Sequence, residues 1–130
     1  MNAWSHLPNA AHIDAILTGV RARPKIWAAA FATVPVAARM AAHAAALDAA
    51  WIAKLDTAVA VVRNVLQGAA WSDTWGAGWS GIRALVTWPE SAAMLDLTPD
   101  ALRTIISTCD GDVKHQAVLL LPAVIARSTV

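Results

Sequence analysis

A chain of 130 residues that is 58% hydrophobic and 15% charged, with a net charge of +1, is the size of one domain with a substantial core. It lacks the basic footprint that nucleic-acid binding requires, and a single cysteine, Cys109, excludes an intramolecular disulfide and a cysteine-based zinc site. No apolar run reaches the roughly 18 residues of a membrane span, and the N-terminus lacks the basic-then-apolar pattern of a signal peptide, so the expectation is a soluble, cytoplasmic protein.

Met1 to Pro8 read as an extended lead-in that Trp4 and Leu7 can pin to the body. Asn9 is placed to cap a first helix whose Ile13, Ile16, Leu17 and Val20 share one face, with Gly19 near its end. Pro24 opens a second helix with Ile26, Trp27, Ala30 and Phe31 on its apolar side, and Pro35 interrupts it and opens the next.

From Val36 to Gln67 there is no Gly or Pro, which predicts one long helix or two nearly collinear ones. Met40, Leu47, Trp51, Leu55, Val59, Val62 and Leu66 recur at three-or-four spacing and are expected to be its buried stripe.

After Gly68 comes a tryptophan helix, ended by Pro89 after Trp88. Trp71, Trp75 and Trp79 are four apart and stack along one helical face, while Gly68, Ser72, Gly76 and Ser80 form a flat stripe beside them. As a strand this stretch reads poorly, because its glycines disfavour sheet.

Pro89 to Leu95 fits a short helical turn or two. Thr98-Pro99-Asp100 is a strong helix start, with Thr at N-cap, Pro at N1 and an acid in the first turn, and Leu102, Ile105 and Ile106 form its buried side. Asp110-Gly111-Asp112 is a turn into a last helix through Val118 to Leu121, which Pro122 kinks or restarts before Val124 and Ile125.

The pieces Asp48-Ala-Ala-Trp51, Ala69-Ala-Trp71, Leu97-Thr-Pro-Asp100 and Leu119-Leu-Leu-Pro122 are similar to runs in a loose set of Ala/Trp-rich helical proteins of bacteria and bacteriophages. The similarity covers about the C-terminal two-thirds. Gly76, Gly78 and Gly81 stand where those runs place Ala. The resemblance implies an all-helical fold and a microbial or phage origin, and carries no activity.

Chemical signals are sparse. His6, His12, His43 and His115 form no metal spacing; Asp112 and His115, three apart, suit a capping contact better than a metal. Cys109 precedes Asp110, an acid that raises rather than lowers a thiol pKa. Ser72, Ser80 and Ser91 lie in no nucleophile elbow, and Gly76 to Gly81 lacks the strand and the Lys of a phosphate loop. Glu90 is the single glutamate, leaving Asp48 and Asp56 as the best carboxylate pair, which reads as two solvated charges. Arg21, Arg23 and Lys25 are the one basic cluster, between two helices.

The chain is therefore expected to be one all-α domain over 1–130, a compact multi-helix bundle of six to eight helices with no sheet. Seven Trp with one Phe and no Tyr supply the core volume that the many alanines lack. Trp51, Trp71, Trp75, Trp79 and Trp88 are the candidate interface or pocket residues, unless they fill the core. The expected function is non-enzymatic, an interaction or self-association module working as a homo-oligomer or with a protein partner, without cofactor, metal, nucleic acid or transmembrane segment. The alternative is a small-molecule binder or enzyme with a Trp-lined pocket between Trp51, Trp75 and Trp79.

Overall fold

The computed structural model describes residues 9–52 and 73–128, with side chains over 9–51 and 78–128. Among these residues the chain is all-α, with no strand. Six α-helices, α1 (Ala10–Ala22), α2 (Pro24–Ala32), α3 (Val36–Ile52), α4 (Asp73–Thr87), α5 (Pro99–Thr108) and α6 (Asp112–Ser128), are joined by short links. A 3-10 helix, Pro89–Asp96, lies between α4 and α5.

The breaks follow from backbone chemistry. Pro24 occupies the first turn of α2, where its missing N–H costs nothing. Pro35 stands immediately before α3, its carbonyl accepting from the Arg39 N–H. Trp88 leaves the helical region, with φ −126° and ψ 87°, because a residue before proline is pushed out of it. Thr98 caps α5 as its sequence predicts, its Oγ1 accepting from the Ala101 N–H at 3.1 Å. Gly111 supplies the positive φ, 73°, of the turn into α6.

Asn9 stands at the cap position of α1 but does not cap with its side chain. Its backbone is left-handed, φ 65°, a region that Asn tolerates better than most residues. Its Nδ2 donates to the carbonyls of Leu85 at 3.1 Å and Pro89 at 2.9 Å. Ser91 Oγ donates to the Ala84 carbonyl, which also accepts from the Trp88 N–H. Asn9 thereby satisfies the Leu85 carbonyl, for which Pro89 has no N–H to give, and it ties the start of α1 to that corner.

Helix α6 is the spine. Gln116 to Val124 are buried without interruption, as in a helix covered on every side. It packs against α2, α3, α4, α5 and the 3-10 helix. The helix runs through Pro122 rather than restarting there, and Pro122 is itself buried. Pro122 cannot donate to the Val118 carbonyl.

Helix α1 buries Ile13, Ile16, Leu17 and Val20, as its spacing predicts, and α4 lies across them. Gly78 and Gly81 allow that approach. A Cβ at Gly81 would stand 2.9 Å from Ile16 Cδ1, and one at Gly78 would stand 3.1 Å from Val20 Cγ2. The flat strip thus runs through Gly78 and Gly81; of the stripe read from sequence, Gly68, Ser72 and the surroundings of Gly76 lie outside the described residues. Gly19 lies in the last turn of α1, near its end as the sequence places it, and its bare backbone receives the Trp27 indole, whose Cζ2 is 3.0 Å from where a Cβ would be.

The stripe expected to be buried on α3 is the one clear reversal. Met40, Leu47 and Trp51 are exposed by 68%, 58% and 73%, and Val36 by 59%. Ala42, Ala46 and Ala50 are buried in their place, four residues apart. Periodicity shows that the large side chains share a face, but not that this face points inward. Methyl groups let α3 sit close to α6, its main neighbour, with α4 a lesser one. Leu55, Val59, Val62 and Leu66 lie outside the described residues.

Candidate interface and buried polar pair

The outward face of α3 is regular. Ala37, Met40, Ala44, Leu47 and Trp51 are all exposed and alternate three and four apart, the seam spacing of a coiled coil. Small and large residues alternate along its first four positions. Among the described residues these are unusual in facing water together, because four of the six exposed large apolar side chains lie on this helix (Val36, Met40, Leu47 and Trp51). Arg39 leaves this face and lies over the Phe31 ring at 4.1 Å, fastening α2 to α3 around the Pro35 corner.

The tryptophans divide accordingly. Trp79 and Trp88 are buried and belong to the core with Trp27. Trp51 is exposed. Trp75 lies on α4 with its side chain outside the described set, and Trp71 is outside it altogether. The face of Trp79 carries Arg83, whose guanidinium carbon is 5.9 Å from the ring centroid.

One polar constellation escaped the sequence. His43 of α3 and Ser80 of α4 meet with Nε2 and Oγ 3.3 Å apart. Burial, then Arg83, then Arg39, pushes the His43 pKa down from 6.5 to about 4, so the ring is neutral at pH 7. A neutral Nε2 accepts the Ser80 proton in the tautomer that leaves it unprotonated.

A serine beside a histidine suggests nucleophilic catalysis, and the geometry argues against it. A base held near pH 4 has little affinity for the Ser80 proton, and Ser80 is 1% exposed, leaving its oxygen no approach for a substrate. The pair does something simpler. It gives the buried Ser80 hydroxyl and the half-buried His43 ring a partner each and fixes α3 against α4. Nothing in the sequence announces it, because the two residues are 37 positions apart.

Other chemical candidates stay apart. Among the described residues no three His, Cys, Asp or Glu side chains gather as a metal site would need. Cys109 is half-buried at the end of α5. Glu90 accepts from Gln116 Nε2 at 3.4 Å. Asp48 is exposed on α3, and Asp56 lies outside the described residues. Among the described residues no single helix is long and apolar enough to cross a membrane; α2 and α3 pass that test only together, bent by 98°.

A scan against protein-family models and searches of curated proteins and solved structures find no match to this chain.

Proposed function

We propose that this protein is a non-enzymatic self-association module, in which α3 of one copy pairs antiparallel with α3 of a second. The observation that carries the reading is the reversal on α3, where alanines face the core and Met40, Leu47 and Trp51 face outward. Leaving that surface wet forgoes the burial of three large side chains, each worth about 1.5–3 kcal/mol.

The seam is complementary to itself. In an antiparallel pair the layers are Ala37 with Leu47 and Met40 with Ala44, each repeated by symmetry, so every layer sets one large side chain over one methyl. A two-fold interface needs such a self-matching surface. Asp48 is the one acidic residue on α3 and lies at the edge of the seam, where it stays hydrated.

Sedimentation equilibrium tests this directly. The wild-type chain is expected to show a reversible monomer–dimer equilibrium, and Leu47→Lys to shift it toward monomer by at least about tenfold in Kd. A strict monomer at all concentrations, or a dimer indifferent to Leu47→Lys, overturns the reading. Mixing Met40→Cys chains with Ala44→Cys chains, both carrying Cys109→Ser, then checks direction: antiparallel pairing cross-links the mixture, whereas parallel pairing cross-links each variant alone.

A further inference from the structure

The basic cluster read from sequence is split by the fold. Arg21 and Lys25 are exposed and do not line the cleft that Arg23 shares with Arg127, from the last turn of α6, and His12 of α1. The cleft is half-enclosed, with a volume of about 180 Å³. Ile16, Trp27 and Leu95 supply its apolar floor, and among the described residues none that lines it is acidic.

Two properties decide what it suits. An apolar cavity of about 150 Å³ is enough to hold benzene, so this floor has room for one six-membered ring or an aliphatic body of that size. The rim is lined by Arg127, Arg23 and His12, and a planar guanidinium such as that of Arg127 matches a carboxylate by paired N–H donors. Trp27, which meets Gly19 along its Cζ2–Nε1 edge, gives the floor an aromatic surface for such a ring.

We propose that this cleft binds a small carboxylate with a ring-sized apolar body, the carboxylate at Arg127 and the body against Ile16, Trp27 and Leu95. The site is separate from α3 and stands whether or not the protein self-associates.

Arg127 has an alternative role, because a cation in the last turn of a helix opposes the helix dipole. That role predicts a stability change on substitution and no ligand. The experiment therefore titrates benzoate, with benzamide as its neutral counterpart, into the full chain, reading heat and the Trp27 indole N–H resonance assigned through Trp27→Phe. Benzoate is expected to saturate with a Kd of about 1 mM or tighter. Benzamide is expected to bind at least about tenfold more weakly, and Arg127→Gln to weaken benzoate by about tenfold or more, since a hydrogen bond to a charged group is worth about 1.5–3 kcal/mol. Ala15→Leu, an exposed position on α1 that lines the cleft, fills it without touching the charges and is expected to abolish binding. No saturable benzoate binding, equal binding of benzamide, or binding unchanged by either substitution overturns the proposal.

Discussion

Helices α3 and α6 are both 17 residues long and both apolar, yet they use their side chains in opposite ways. Helix α6 is enclosed by its neighbours and buries Leu119, Leu120, Val118 and Val124 almost completely. Helix α3, with alanine at nine of its positions, turns methyl groups inward and Met40, Leu47 and Trp51 outward. Apolar composition does not by itself assign a helix to the interior. What decides is which stripe lets the backbones approach, and a stripe of Ala42, Ala46 and Ala50 approaches more closely than one of Met and Leu.

The largest effect that tests this contrast is on α6. Leu120→Ala should destabilise the fold by about 2–5 kcal/mol, as large-to-small changes in a tight core do, whereas Leu47→Ala should leave the monomer within about 0.5 kcal/mol of wild type. Chemical denaturation of the two variants side by side checks it; equal losses erase the distinction. The reciprocal change comes next. Ala46→Leu inserts bulk where α3 has none to spare and should cost about 1–3 kcal/mol, visible as a lower thermal midpoint with unchanged helical content at 20 °C. A neutral result would mean that α3 can rotate on the bundle.

The attachment of α3 to α4 through His43 adds a pH signature. The unfolded chain takes up this proton near pH 6.5, while the folded chain resists until about pH 4. The associated stability is complete above pH 6.5 and is lost progressively as pH falls toward 4, because the unfolded state then binds more protons. Unscreened, a difference of that size is worth about 3 kcal/mol; partial exposure of the imidazole reduces the expected loss to about 1–2 kcal/mol. Denaturation at pH 7 and pH 4.5 measures it, with His43→Gln expected to flatten the difference. A profile that is steeper in the variant contradicts the assignment.

The smallest effect is at the end of α4, against which α6 also packs. The Thr87 hydroxyl is buried and finds no hydrogen-bond partner among the described residues, so Thr87→Val should stabilise the fold by up to about 1 kcal/mol. A loss of stability would show that the hydroxyl is bonded in solution.

Local rules were readable in the chain because their causes are local. Pro24, Pro35, Pro89 and the Thr98-Pro99-Asp100 start mark helix boundaries through φ restriction and missing donors, and the structure breaks at each. The inward face of α1 was readable because one stripe holds all its large apolar residues. On α3 the same rule pointed to the wrong side, since a stripe of alanine carries no hydrophobic signal although it packs best. The His43–Ser80 pair and the His12, Arg23 and Arg127 cleft join residues from distant parts of the chain, and only tertiary packing brings them together. Trp79 and Trp88 serve the core and Trp51 the surface, a division that spacing alone did not contain.

The most direct test of the outward face of α3 is the unfolding free energy of the double variant Met40→Gln/Leu47→Gln, followed by tryptophan fluorescence in solution dilute enough to hold the chain monomeric. A change within about 0.5 kcal/mol of wild type is the predicted result. A loss of about 3 kcal/mol or more, the cost of placing polar groups in a dry core, would contradict it.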